Sequence, residues 1–557
     1  MDRLRKIKMA PILLLVLVYS IVAFINLGNM TSPQNAWRSE DYHVTIDFGH
    51  EIYISRFQFM TGARNEVRLL LFGSSDGNDW PISIYSDYIS VFRWHELPVN
   101  EYVRFIQIAA FGPGLYLQEI AFRDRWDRLQ PPYQILGGYG AAHALFDEQH
   151  LVPDRSSFMN STYFDEIYHA RTGYEFLHGM HVLETSHPPL GKNFISTSVQ
   201  MFGMTPFAWR LPGTLAGILM VVLMYFFGSF MFRSSFWGFI TAAIFAFDFM
   251  TFAQTRIATI DSYVTLFIIA SYLFMFVYTR EGDEMDLKES LICLACSGFF
   301  IGLAVASKWQ GAYAALGLPI IFFPTLYKVY KLDKQKAKLT FLACFPIFVI
   351  IPLIVYLLSY IPFVRAMDMG DGFWRTVWDN QIFMFTYHAG LEEGHPFAAR
   401  WWEWPLIIRP MFYYVNHTEE GLRQGISSFG NPAVWWTGIA ATFCVIAALI
   451  KRQFAVKDEN FTIIIFLLIA YAAQLVPWMF IFRPTFIYHY FPSVPFVVLL
   501  IVFCLKNYVY PKFPKIVWAY VGIVVGLFII FYPVLSGMPI TSDFANILRW
   551  FPAWVLI

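Results

Sequence analysis

The chain has 557 residues, 57% hydrophobic and 19% aromatic, and its 40 basic residues cancel its 40 acidic ones. Only 14% are charged, against about 25% in soluble domains, so this is a membrane protein. Zero net charge leaves no whole-molecule field to steer nucleic acid, and the apolar content excludes disorder.

Residues 1–8 carry Arg3, Arg5, Lys6 and Lys8 ahead of an apolar run from Met9 to about Leu27, long enough to cross a hydrocarbon core of roughly 30 Å. The basic flank predicts a cytoplasmic N-terminus. With no small-x-small site in 26–30, the run reads as an uncleaved first span rather than a signal peptide. Apolar runs at roughly 211–232, 236–254, 262–279, 291–306, 311–327, 340–362, 433–450, 461–480, 486–505 and 516–535 bring the count to about eleven crossings, with an external C-terminus. The intervening loops that this count makes cytoplasmic hold the basic residues, among them Arg233, Arg280, Lys331, Lys334, Lys451, Lys457 and Lys512, so the topology agrees with the positive-inside rule. All five cysteines fall in apolar runs and form no disulfide or zinc pattern.

The chain therefore divides into a first span (1–29), an external β region (30–130), a membrane core with the rest of the first external loop (131–362), a second external loop (363–432) and C-terminal spans (433–557). In the β region, VTIDF, IYISRFQF, EVRLLLFGSS, YVRFIQIAAF and LYLQEIAF alternate between turn residues such as Asp76-Gly77, the pattern of a small antiparallel sandwich. The order of these pieces resembles the discoidin, or galactose-binding-like, jelly roll. Sugar binding by such domains is a fold-level analogy, and a plain spacer is the equal alternative.

Beyond it, NSTYFDEIYHARTGYEFLHG places Tyr163, Ile167, Ala170, Tyr174 and Leu177 at helical spacing behind a Ser/Thr cap, with Asp165 and Glu166 in the first turn. Acids there complement the helix dipole; alternatively one is a general base held at the membrane face. In SHPPLGKNF, Pro188 and Pro189 stiffen the entry to a helix that His187 and Lys192 bracket, an arrangement suited to an anion. Arg210, Arg256, Asp261 and Lys308 all sit at span ends on the predicted external side, and Arg483 and His489 join them in FRPTFIYHYFP. Each alone reads as an interfacial anchor, and His489 as a satisfied aromatic-belt histidine. Together they gather cations beside an Asp-Glu pair on the side where cations are scarce.

Six pieces, FDEIYHA, SHPPLGK, FAWRL, TRIATIDS, GLAVASKWQG and YHYFP, occur in the order seen in the protein O-mannosyltransferases, and outside the β insert the chain resembles that family. The resemblance implies a mostly α, polytopic GT-C membrane fold with an inserted discoidin-like jelly roll. It implies an inverting transfer of mannose or a related hexose from a polyprenyl phosphate to Ser or Thr hydroxyls of exported proteins. Asp165 then matches the proposed general base and Glu166 its helper. His187 and Lys192 fall in the HPPLGK loop, Arg210 and Arg256 match arginines near the lipid phosphate, and Asp261, Lys308, Arg483 and His489 complete the substrate site. The cations can stabilise a phosphate leaving group, so no metal or other cofactor is predicted. Family members often pair as dimers.

Two departures stand out. The second external loop is too short for the β-trefoil MIR domain of eukaryotic members, which points to a bacterial source and an exported-protein acceptor at the plasma membrane, and its Trp401–Trp404 stretch reads as a surface helix or gate. The β insert leaves the acceptor open. A transferase of the aminoarabinose type, acting on a lipid or envelope polysaccharide, is the near alternative. A transporter or sensor with a sugar-binding ectodomain is the distant one, since only Asp248 lies deep in an apolar run.

Overall fold

The computed structural model describes residues 9–38, 43–64, 68–86, 90–111, 116–137, 142–367, 370, 372–392, 394–418, 420–455 and 458–557. The basic flank 1–8 and Lys457, both used in the topology argument, lie outside the described residues. The chain forms two compact units, one of residues 26–178 with 195–210, the other of residues 1–25, 179–194 and 211–557.

The first unit is built on an antiparallel sheet of β1 (Trp37–Arg38), β2 (His43–Thr61), β3 (Arg68–Ser74), β4 (Ile82–Ser86), β5 (Trp94–Phe111), β6 (Tyr116–Arg123) and β7 (Gln134–Gly137). Its order is β1-β6-β2-β5-β3-β4, with β7 also on β2. The sheet thus runs past residue 130, the boundary read from the sequence. Alternation dictates the register: Val44 and Ile46 pair with Ile108 and Ile106, and all four are fully buried. β2 bends where the pairing jumps from Asp47↔Phe105 to Ile52↔Val103. Gly49 takes φ +77° in this bulge, and Asp47 Oδ1 accepts its N–H at 2.8 Å. Arg104 Nε also donates to Asp47 Oδ1, at 3.0 Å, and this partner holds the carboxyl below the usual aspartate range. Phe57 stacks on Phe122 at 5.0 Å in the core. The same unit contains α2 (Glu166–His178) and most of α3 (Leu190–Phe202).

The second unit is helical. Among the described residues nine helices are long and apolar enough to cross a membrane, ten if a bent pair counts as one span. They are α4 (Pro206–Phe232), α7 (Asp261–Glu281), α8 (Leu287–Ser307), α9 (Gln310–Leu332) and the segments Lys334–Met367, Pro432–Ile450, Glu459–Phe480, Ile487–Val509 and Pro514–Ser536. The bent pair is α5 (Ser235–Ala246) and α6 (Phe249–Thr255), set at 63°. With α1 (Ala10–Phe24) these account for the eleven runs seen in the sequence. α1 is shorter than its apolar run, because Asn26 at φ +53° and Gly28 at φ +153° end it early.

The break between α5 and α6 falls at Asp248, the lone acid inside an apolar run. Its side chain caps α6, accepting from Thr251 N–H at 3.3 Å, and also accepts from Asn431 N–H at 3.0 Å. Asn431 in turn caps the helix Pro432–Ile450 and donates to the carbonyls of Phe247 and Val524. Irregular backbone within an apolar bundle survives only when protein groups satisfy it, and Asp248 and Asn431 do so here. Asp248 therefore shapes the fold rather than marking a transport path.

The 363–432 loop holds a helix, Phe373–Ala389, and a hairpin of β8 (Met411–His417) and β9 (Arg423–Ser428). Of the surface helix or gate expected at Trp401–Trp404, the helix is not formed: the stretch is a run of turns. Pro405 disfavours helix at the residue before it, Ile407 takes φ +56°, and Trp404 is buried with Nε1 donating to the Ala399 carbonyl at 3.0 Å.

Candidate active site

Asp165 sits in the turn immediately before α2, and its carbonyl accepts the N–H groups of Tyr168 and His169. The residue before it, Phe164, is held at φ +48°, a strained conformation for a bulky side chain. Such strain persists only where the surroundings enforce it, and the enforcing element is next door. Glu166 is fully buried and paired with Arg210, Nε to Oε1 at 2.7 Å and Nη2 to Oε2 at 2.8 Å. Arg210 also donates from Nη1 to the carbonyls of Leu27 and Phe158 and from Nη2 to that of Ser161. Its five N–H bonds are thus all engaged, leaving none for a phosphate in this arrangement. The two adjacent acids therefore differ: Glu166 is locked into the interior, whereas Asp165 is only partly buried, on a rigid turn.

In the helical unit, Pro188 and Pro189 lead into α3 as the sequence predicts. Lys192, fully buried, donates to Glu184 Oε2 at 2.5 Å, to the Glu184 carbonyl at 3.2 Å and to the His187 carbonyl at 3.0 Å. Its three N–H groups are used in tying the loop rather than in facing an anion. Glu184, which sequence reasoning missed, also sits 3.1 Å from His187 Nδ1.

Lys308 follows the end of α8 and donates to Asp261 Oδ1, at the start of α7, at 2.7 Å. Arg256 packs over Phe252 and donates to the carbonyls of Ala23 and Ile25, which close α1. His489 is buried 4.4 Å from Trp478, ring to ring. A cavity of about 520 Å³ opens between these elements, lined by His187, Lys308, Trp309, His388, Trp478 and Arg483 among others. It adjoins a second of about 1000 Å³ that shares Trp478, Phe482 and Arg483 and reaches Trp401, Trp402 and Glu403. Arg483 forms no ion pair with a carboxylate among the described residues, and burial holds its pKa below the usual arginine value. Of the cations singled out from sequence, Lys308 and Arg483 reach a cavity; Arg210 and Lys192 are consumed internally.

Among the described residues one acidic group is close enough to share a cation: Glu119, Asp147 and Glu148 in the β unit, with ligand oxygens within 4.8 Å of one another. All three already accept protein hydrogen bonds, from Glu148 N–H and Gln149, from Asn35, and from the Gln34 and Asn35 amides respectively. Burial pushes Glu119 up from 4.5 to about 8. Between those values the folded chain binds a proton that the unfolded chain has released. This contribution to stability is therefore full below about pH 4.5, falls as pH rises, and is lost above about pH 8. Glu119→Gln should flatten the fall in β-unit stability between pH 5 and 8 measured by limited proteolysis; an unchanged slope would contradict this.

One unit thus has spans around cavities lined by cations, and the other carries a partly exposed aspartate on a rigid turn. The fold is that of the Saccharomyces cerevisiae protein O-mannosyltransferase Pmt1-Pmt2 complex bound to the sugar donor, with a TM-score of 0.63 at 14% identity, covering 71% of this chain and 89% of that one. Residues 155–365 match the family profile of dolichyl-phosphate-mannose-protein mannosyltransferase, and residues 373–554 that of the C-terminal four-transmembrane region of protein-O-mannosyltransferase. Similar relatives are the polyprenol-phosphate-mannose–protein mannosyltransferases of Mycobacterium tuberculosis, 26% identical over 74% of this chain and 87% of that one, and of Mycolicibacterium smegmatis, 24% identical over 70% and 87%. The chain belongs to the protein O-mannosyltransferase family.

Proposed function

We propose that the chain transfers mannose, or a related hexose, from a polyprenyl phosphate to Ser or Thr hydroxyls of exported polypeptides. The observation that carries this reading is family membership together with the Lys308 and Arg483 cations lining one cavity. Asp165 takes the hydroxyl proton as the oxygen attacks the anomeric carbon; the bond from that carbon to the phosphate oxygen breaks, its electron pair leaves on the phosphate, and the anomeric centre inverts. Lys308 and Arg483 stabilise the departing phosphate, so the reaction needs no metal in this reading. Glu166 and Arg210 hold the Asp165 turn, and Lys192 with Glu184 holds the His187 loop.

The site faces the non-cytoplasmic side, as the basic loops imply, and the chain works paired with a second copy or relative. Purified protein given polyprenyl phosphate mannose should label a Ser/Thr-containing peptide, with and without EDTA, and should not label a glycolipid acceptor. Labelling of the glycolipid alone would favour the lipid-acceptor alternative, and loss of activity in EDTA would contradict the metal-free mechanism.

A further inference from the structure

The helical unit carries a second group of cations that sugar transfer does not use. Asp261 opens α7 beside Lys308 and Arg280 lies in its last turn, so the two groups sit at opposite ends of a membrane-spanning helix. At the Arg280 end, Glu459, which begins the span Glu459–Phe480, accepts from Arg280 Nη2 and lies 3.2 Å from Arg233 Nε. Arg233 follows α4 at φ +52°, a turn conformation that favours glycine, and its side chain is 59% exposed. Lys506, near the end of the span Ile487–Val509, holds its ammonium 5.7 Å from the centre of the Phe232 ring. It is half-buried, makes no hydrogen bond or ion pair among the described residues, and its nitrogen is open to the surface.

The charged groups close enough to act on Lys506 are Glu459, Arg280 and Arg233, so three cations share one carboxylate among the described residues. Arg280 is spent: its side chain is 8% exposed and also donates to the carbonyls of Phe230 and Met231. Arg233 and Lys506 are the two that reach outward. Their depth is marked by aromatic rings. Trp237, one turn beyond Arg233, packs edge-on against Tyr510, one turn beyond Lys506, with ring centres 5.2 Å apart. Such Trp and Tyr pairs collect at the level of lipid headgroups. Phe236 and Phe239 then contact Trp518, at 5.7 and 6.3 Å, and Trp518 is 52% exposed, which leaves an apolar face beside the cations.

We propose that Arg233 and Lys506 hold the phosphate of an anionic phospholipid in this leaflet, with its acyl chains along Phe236, Phe239 and Trp518. Charge selects the occupant: a zwitterionic headgroup brings its own ammonium and leaves the cation excess uncompensated, whereas an anionic headgroup neutralises part of it. The site lies away from the sugar chemistry and does not depend on it.

The test uses the full-length protein, stripped of lipid in detergent and titrated with phosphatidylglycerol or phosphatidylcholine, with bound lipid counted by native mass spectrometry. Phosphatidylglycerol should bind in preference. Arg233→Gln combined with Lys506→Gln should weaken its binding about 30-fold, the worth of two cations at a membrane surface, and leave phosphatidylcholine unchanged. Lys331→Gln combined with Lys334→Gln removes the same charge from another pair of helix ends on the same side and should change binding by less than about two-fold. Lys506→Gln alone, with an expected loss of about 5-fold, serves if the double variant does not fold. Undiminished binding by the Arg233 and Lys506 variants, or an equal loss in the Lys331 and Lys334 pair, would overturn the site. Displacement of phosphatidylglycerol by an equal concentration of inorganic phosphate would overturn the lipid as its occupant.

Discussion

Asp165→Asn should lower kcat by about 100-fold to 10,000-fold, the usual worth of a positioned general base, with little change in KM or melting temperature. Asparagine has nearly the same shape, and the turn is held by backbone bonds to Tyr168 and His169 that the change does not touch. What the substitution removes is the carboxylate, and with it the ability to take a proton. Asp165→Glu should keep part of the activity, because the longer side chain moves the carboxylate but preserves its chemistry. Steady-state kinetics at matched expression decide the matter: an enzyme carrying Asp165→Asn that stayed within a few-fold of wild type would remove Asp165 from the mechanism.

The second large effect falls on stability. Glu166 and Arg210 are 0% and 1% exposed, and removing one partner of a buried pair leaves an uncompensated charge at a cost of about 3–5 kcal/mol. Glu166→Leu strands the guanidinium; Arg210→Met strands the carboxylate and also orphans the carbonyls of Leu27, Phe158 and Ser161. The arginine variant should therefore be the less stable, and the double variant should lose less than the sum of the two. Thermal unfolding of the detergent-solubilised protein checks this, and additive shifts would contradict a direct pair. Both variants should also lose transfer activity, since the clamp holds the turn that presents Asp165.

What can be read from the sequence depends on whether a property is local. Span positions were legible because crossing a hydrocarbon layer demands an apolar run whatever its neighbours do. The β unit was legible through period-two alternation, although β7 at Gln134–Gly137 lay beyond the boundary drawn. The break at Asp248 left a trace as the odd acid in an apolar run, but its meaning depended on Asn431, far along the chain.

The site was half legible for the same reason. A cation in sequence does not reveal where folding will put it: Arg210 finds Glu166 and Lys192 finds Glu184 in the interior, while Lys308, though paired with Asp261, and Arg483 line a cavity. Glu184 precedes His187 by three residues, a spacing with no helical or strand meaning there, and His388 reaches that loop from far along the chain, with a separation of 202 to Ser186. Neither carried a local signal. Trp401–Trp404 looked like a surface helix by composition, and Pro405 was the signal against it.

Direct displacement, in which Asp165 serves as base and forms no bond to the sugar, is tested most directly by the anomeric configuration of the mannosyl peptide, read by NMR against a donor of known configuration. Inversion is the expected result; a product that retains the donor's configuration would contradict it.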